Sequence, residues 1–498
     1  MKASSAVLCA CLLLVSSALP ARDAADPSLA EVYQEAIRLE DSRELTRAKG
    51  RYEEILARCD PQRDWLLRRN AQQGLLRVDD LRAEFAMSET QLREKLAQTY
   101  RDYRAEEFAD WQRRGWILSK EVDGVRGYSI LNPTNLGFFD SGLMARNANA
   151  VEGYRQFARI FLDESAALDR LRSSASGPQT YVAPVRHVYS VRAVVRRSDL
   201  PPGPVVRAWF PYPLLTPAVQ SIRLVSVEPP GALKSSPDIA SEIGIAYLEA
   251  PRPEKDDLTL ELKVAFDAYH TDFQIDPDTI ESYDRRSELY QRFTRSEQQI
   301  ALTEPLCELA RTVVGGEENP YRKARKLYDW VCDNVKYNFV WRWRDATFTY
   351  GCASEEVRSR RIGDCVIQSV FYAALCRSAG IPARVVNGPI FPPGMKNDHV
   401  WAEIYFPRYG WMPVDVTYSE VAGMVPGLSE SERRTIRDFF FGRMDRWRLC
   451  TQRSELAQEL VPVKKSRRRH VTMFVRPELE CGGQDVESRT LSWECTPQ

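Results

Sequence analysis

The chain has 498 residues, 44% hydrophobic and 28% charged, the make-up of a folded protein, which excludes global disorder. It is too long for one ordinary domain, and about three are expected. Lys plus Arg and Asp plus Glu number 69 each, and the 30 prolines and 25 glycines carry no period; the excess basic charge of a nucleic-acid binder and the repeat of a fibrous chain are therefore both missing.

Residues 1–21 read as a secretory signal peptide. Lys2 supplies a positive start and Val7 to Val15 an apolar run. Ser16-Ser17-Ala18 and Leu19-Pro20-Ala21 are both small-residue cleavage ends. That run is too short to span a bilayer, and no later stretch is long and apolar enough to do so. An exported protein without a transmembrane segment, periplasmic or extracellular, is expected. Of eleven cysteines, Cys9 and Cys11 lie in the signal, leaving nine. An odd number in an exported chain leaves at least one thiol unpaired. Cys481 and Cys495 flank a short glycine-containing segment and are the expected bridge.

Residues 22–172 are predicted as a helical region, interrupted by a mixed stretch with Gly115, Gly124, Gly127 and Asn132-Pro133 before a last helix near 146–172. Ala48, Tyr52, Ile55, Leu56 and Cys59 fall on one helix face, and Asp60-Pro61 ends that helix. The segment resembles the second helix of a tetratricopeptide unit for one or two units at most; an ordinary helical hairpin fits it equally well. Such helices also offer a surface to a protein partner. After the linker Ser173 to Pro178 the period changes to two, and 178–272 reads as a β-sandwich-like domain with strands at Tyr181–Arg196, Val205–Trp209, Ser221–Val227 and Leu258–Phe266. A polar link, 273–300, reads as helical. The unit at 301–425 opens with helices near Glu304–Val314 and Tyr321–Val335. A central helix begins at Cys365, and strands follow at Ala383–Asn387, His399–Phe406 and Trp411–Thr417. Helices followed by antiparallel strands make an α+β pattern. Residues 430–498 form a C-terminal extension with a basic run from Lys464 to His470, read as a solvated edge or loop.

Chemistry concentrates at Gly363-Asp364-Cys365. Asp364 can cap the helix, and Cys365 falls in its first turn, where the helix dipole and backbone N–H groups favour a thiolate and could hold an oxyanion. Cys376, three turns on, sits at the disfavoured end and reads as a buried thiol. In His399 to Phe406 the apolar Val400, Ala402, Ile404 and Phe406 alternate with His399, Trp401, Glu403 and Tyr405. The next strand carries Asp415, and the hairpin-length Pro407–Gly410 connection lets Asp415 lie beside His399. A carboxylate there would fix the imidazole tautomer. No C-x-x-C or H-x-E-x-x-H spacing supports zinc, and no acidic loop of the EF-hand type supports calcium.

Gly363-Asp-Cys365 with Leu375-Cys-Arg-Ser-Ala-Gly-Ile-Pro-Ala-Arg384 resembles the nucleophile helix of transglutaminase-like proteins. His399-Val-Trp-Ala-Glu403 and Gly410-Trp-Met-Pro-Val-Asp415 resemble that family's His and Asp strands, and Val335-Lys-Tyr337 its short tyrosine segment. Val205 to Pro213, then Gln220, resembles the β domain that precedes this core in bacterial exported relatives. The resemblance implies a papain-like α+β core and a Cys365, His399, Asp415 triad without a cofactor or metal. It also suggests Trp341 or Trp343 as an upstream oxyanion aromatic; Trp401, on the His399 face, is a further candidate for substrate contact. The expected reaction is thiol-dependent acyl transfer on peptide or glutamine amides, with water or an amine as acceptor and hydrolysis favoured. The alternative is a catalytically retired scaffold that binds peptides or cell-envelope partners.

Overall fold

The computed structural model describes residues 27–60, 63–174, 177, 179–340, 352–454, 458–466, 470–471 and 473–498. The signal segment, Trp341 and Trp343 lie outside the described residues. Among those residues, no helix is long and apolar enough to cross a membrane. The architecture is mixed α and β in several units.

Five helices come first: α1 (Leu29–Asp41), α2 (Leu45–Arg58), α3 (Trp65–Glu84), α4 (Glu89–Thr99) and α5 (Ala105–Arg113). The Ser28 and Ser88 side chains start α1 and α4 through reciprocal capping boxes with Glu31 and Gln91. The predicted face of α2 is buried through Ala48, Tyr52, Ile55 and Cys59. Opposite it, a Cβ on Gly74 of α3 would lie 2.3 Å from Tyr52 Cζ, so only glycine admits that ring. The Tyr52 hydroxyl donates to Glu40 of α1 at 2.6 Å, and Arg77 of α3 reaches the same carboxylate at 2.9 Å. All three groups are buried. The long helix α6 (Val151–Ser174) then leads out of this region.

The β domain is a sandwich, and its strands are β1 (Tyr181–Val195), β2 (Val205–Pro211), β3 (Val219–Glu228), β4 (Ile245–Pro251) and β5 (Leu258–Asp272). Strand β4 was not anticipated. The 273–300 link differs from its helical reading. It holds one short helix, Glu288–Thr294, with a single buried residue, Phe293, and one 3-10 turn. A polar segment without an apolar stripe gives a longer helix nothing to bury.

The following core holds α7 (Glu304–Val314), α8 (Pro320–Asn334), β6 (Lys336–Tyr337), α9 (Ala353–Arg360), β7 (Ile362–Gly363) and α10 (Cys365–Ser378). Then come β8 (Ala383–Ile390), β9 (Asn397–Phe406), β10 (Gly410–Val414), α11 (Val416–Met424) and α12 (Glu430–Phe439). The predicted strand through Thr417 stops at Val414. Asp415 accepts the Tyr418 N–H and caps α11 instead, which is what a short acidic side chain does best when helical residues follow.

The last segment does not stand apart. It contributes β11 (Arg443–Met444), β12 (Gln452–Ser454), β13 (Glu478–Cys481), β14 (Gln484–Asp485) and β15 (Thr490–Pro497). Strand β12 extends the core sheet, ordered β10-β9-β8-β12. The sandwich sheets run β11-β5-β1-β15, with β3 also on β5, and β14-β13-β2-β4. The chain between Cys481 and Cys495 thus crosses from one sheet to the other, and both are thiols rather than the expected disulfide.

The buried Glu40–Arg77 pair ties α1 to α3, and Arg77→Ala breaks it while leaving the carboxylate buried. A loss of about 3–5 kcal/mol is expected in urea unfolding followed by circular dichroism.

Candidate active site

Helix α10 begins where the sequence places its chemistry. Asp364 is the N-cap, and its Oδ1 accepts from Val366 N at 3.0 Å and Ile367 N at 3.2 Å. Cys365 is the first helical residue and is half-buried. Asp364 caps the helix as expected, so of the helix-start N–H groups those of Val366 and Ile367 are taken by its carboxylate and are not free for an oxyanion. Crowding demands the glycine at 363: a Cβ there would lie 2.5 Å from Ile367 Cγ1. The rest of α10 is buried on nearly every side, and Ser369 Oγ donates to the carbonyl of Val400 at 3.1 Å. That bond fixes the first half of α10 against β9, one residue beyond His399.

His399 is 1% exposed and Asp415 0%. The His399 Nε2 and Asp415 Oδ2 atoms are 2.8 Å apart. Asp415 Oδ1 accepts the Tyr418 N–H at 3.0 Å, and Oδ2 also accepts from Arg448 Nη1 at 2.7 Å. Burial alone would raise the Asp415 pKa; the charges of His399 and Arg448 outweigh it and hold the carboxyl at about 2. The carboxylate is thus ionised at every working pH, and Nε2–H is the tautomer it selects, leaving Nδ1 as the basic ring nitrogen.

The Tyr418 ring stacks on His399, centroids 4.2 Å apart and planes 25° apart. Phe157 and Phe161 of α6 back Tyr418 at 4.7 and 5.5 Å, so the N-terminal region buttresses the imidazole from behind. Burial pushes the Tyr337 and Tyr418 hydroxyls up, and the Cys365 charge pushes them further. The sulfur is therefore within electrostatic reach of the ring that covers His399. Asn135 joins the same assembly, exchanging two hydrogen bonds with the Phe339 backbone at 2.9 and 2.8 Å.

The other cysteines and histidines are placed differently. Burial pushes the Cys332, Cys376 and Cys450 thiols up to about 12, where no thiolate forms at neutral pH. Burial drops His187 and His270 to about 4. Trp401 is only 5% exposed, with its ring 6.4 Å from His399 and 5.3 Å from the Arg448 guanidinium. It packs around Arg448 rather than facing open solvent. Among the described residues no group of three or more His, Cys, Asp or Glu is placed to hold a metal ion. A cavity of about 330 Å³ opens beside the start of α10. Ile362 and Ile367 form its core wall, Trp116, Leu118 and Lys120 its N-terminal wall.

Against proteins already known, residues 308–416 match the family model of the transglutaminase-like superfamily. Those residues form a transglutaminase-like domain. The chain is 26% identical over 148 residues to an uncharacterized protein, YebA, of Bacillus subtilis, covering 26% of this chain and 20% of that one. It is 25% identical over 169 residues to an uncharacterized protein of Haemophilus influenzae, covering 28% and 43%. The chain therefore spans less than half the length of either relative. A solved structure from Cytophaga hutchinsonii, provisionally described as a cysteine protease, aligns at 16% identity with a TM-score of 0.42, covering 64% of this chain and 92% of that one. One from Parabacteroides distasonis, provisionally described as a protease, aligns at 11% and 0.20, covering 48% and 47%.

The transglutaminase-like domain contains Cys365, His399 and Asp415, but Arg448 comes from beyond it. Nothing in the sequence flags Arg448: it is 33 residues from Asp415, in the stretch read only as a C-terminal extension. Glu420 was also missed. It is buried; its Oε2 accepts the Tyr337 N–H at 3.0 Å, and Lys336 Nζ stands 3.7 Å from its Oε1, beyond a hydrogen bond. Burial raises its carboxyl from 4.5 to about 8.

Because the fold holds the Glu420 proton more tightly than the unfolded chain does, stability is full below the ordinary carboxyl range. It falls as pH rises through about 8. Glu420→Gln mimics the protonated form, so it should match the parent in chemical denaturation near pH 4 and exceed it near pH 9.

Proposed function

We propose that Cys365, His399 and Asp415 form a thiol-dependent acyl-transfer site acting on peptide amides. The observation that carries this reading is the buried 2.8 Å contact between His399 Nε2 and Asp415 Oδ2, beside a helix whose first residue is Cys365. A carboxylate held out of water against one ring nitrogen fixes the ring and turns the other nitrogen outward, as a thiol–imidazole–carboxylate site requires.

In this reading Nδ1 of His399 takes the Cys365 proton. The thiolate attacks the amide carbonyl, and the new C–S bond forms as the carbonyl becomes an oxyanion. The imidazolium then returns the proton to the departing nitrogen; the C–N bond breaks, releasing an amine and leaving a thioester. Water, activated by the same Nδ1, cleaves the thioester and restores the thiol. An amine in place of water would give a new amide. Hydrolysis is the favoured outcome, since water is the acceptor present everywhere. The cavity beside α10 supports a peptide substrate, because it pairs apolar walls with charged groups such as Glu84 and Lys120, and one of those walls, Ile367, lies two residues beyond the nucleophile. Export remains part of the proposal, resting on the signal-like first 21 residues.

Incubation with a library of glutamine-containing and unmodified peptides, followed by mass spectrometry, tests the reading. Cys365→Ala should abolish both amine release and the acyl-enzyme mass. Asp415→Asn should keep the nucleophile but lower turnover by about 100- to 10,000-fold. Full biological activity in the Cys365→Ala protein would instead favour a peptide-binding scaffold.

A further inference from the structure

Arg448 reaches the site from outside the transglutaminase-like domain, with two of its three guanidinium nitrogens engaged by carboxylates and Nη2 buried without a partner. Its Nη1 donates to Asp415 Oδ2 at 2.7 Å and its Nε to Asp445 Oδ2 at 2.8 Å. Both arginine and Asp445 are buried. The guanidinium carbon lies 5.3, 5.2 and 5.7 Å from the rings of Trp401, Tyr418 and Phe440. The backbone is held as firmly as the side chain. Arg448 bridges Ile390, and Leu449 N donates to Pro389 O at 3.0 Å. Gly388, the cross-strand partner of His399, makes that approach available: a Cβ there would lie 1.6 Å from Leu449 O.

We propose that Arg448 is a positioning residue for His399, acting through Asp415: it shares the oxygen that holds the imidazole and offsets the charge that the imidazole feels. The proposal rests on the acyl-transfer reading of the site. A bare buried carboxylate would grip an imidazolium tightly and keep it from returning its proton to a leaving group. A carboxylate shared with a guanidinium still fixes the ring but holds the cation less tightly. Asp415 then resembles a neutral amide in its pull while keeping the reach and the geometry of an acid.

The charges around the ring come from four directions. Asp415 and Tyr418 meet it at the start of α11, and Asp364 and Cys365 on α10 act on the Tyr337 hydroxyl, Cys365 on that of Tyr418 as well. Behind Asp415, Arg448 and then Asp445 follow from the segment before β12. On its own strand Asp398 is already engaged by Arg476 and Trp493. Arg448 is the cation in direct contact with Asp415 besides His399 itself, so removing it changes the field at the ring more than at the sulfur, which lies farther from Asp415.

Iodoacetamide alkylation of Cys365 in the full chain, read by mass spectrometry of its peptide across pH, tests this without any substrate. The rate rises once as the thiolate forms beside an imidazolium and again as the imidazolium loses its proton. Arg448→Gln removes a positive charge and should raise the second step by about one pH unit, with a smaller rise in the first. Arg448→Lys should return the second step toward its original place. Asp445→Asn removes a negative charge from the other side of the guanidinium and should lower the second step. If Arg448→Gln fails to fold, the Asp445→Asn shift decides alone. A folded Arg448→Gln protein whose second step stays put, or whose two steps move together, would overturn the positioning role, as would an unmoved or raised step in Asp445→Asn. Because alkylation needs no turnover, failure of the acyl-transfer reading itself would appear separately, in the peptide assay.

Discussion

A carboxylate removed from water must have its lone pairs answered, or it takes up a proton. Asp415 is such a group, and much of the surrounding structure serves to answer it. One oxygen receives the first turn of α11 through Tyr418 N; the other receives His399 and Arg448. Each partner arrives on a different element, so the carboxylate acts as a junction as well as a side chain. The strand that would have carried it further ends at Val414 because capping α11 occupies the oxygen that extended backbone would leave unanswered.

The junction explains how distant parts of the chain bear on one imidazole. Helix α6, from the N-terminal region, backs Tyr418 through Phe157 and Phe161. The segment before β12 brings Arg448, and the tail beyond it closes both sheets of the sandwich through β13 and β15. The N-terminal helices also reach the site through the two Asn135–Phe339 hydrogen bonds. None of these regions is an appendage. Each supplies a wall, a ring or a charge that the transglutaminase-like domain lacks when taken by itself.

The sequence was most legible where one local pattern decides one element. Helix α10, its Asp364 cap and its end at Ala379-Gly380 follow from capping chemistry and an apolar face. The alternation in β9 separated the core-facing Val400, Ala402, Ile404 and Phe406 from the His399 face. The His399–Asp415 pairing followed from a short connection between strands. Legibility failed where the deciding partner is remote. Asp415 reads equally well as a strand residue until the helix it caps is known. The crowding at Gly363 depends on Ile367, four residues on, and the crowding at Gly388 on Leu449, more than fifty residues on. Cys481 and Cys495 look paired by spacing, yet the chain between them changes sheets. Strand β4 lacks a clean alternation, since Ala246, Tyr247 and Leu248 are all buried in a row.

Arg448 shows why a remote partner matters chemically as well as structurally. In a thiol–imidazole pair the ring must first accept a proton and later surrender it, and a stronger anion behind the ring helps the first step while hindering the second. A lone buried aspartate favours acceptance. A neutral amide would release more readily, but without a charge to select the tautomer as firmly. Sharing the aspartate with a guanidinium lies between the two, and here the compromise is built from a residue that packs among three rings and is anchored by a second carboxylate, Asp445. That anchor also limits the arginine: with Nε committed to Asp445, it is Nη1 that meets Asp415, on the oxygen that His399 also holds. The balance at the ring is thus set by two acids competing for one base, and it is held by the backbone approach that a missing side chain at Gly388 permits.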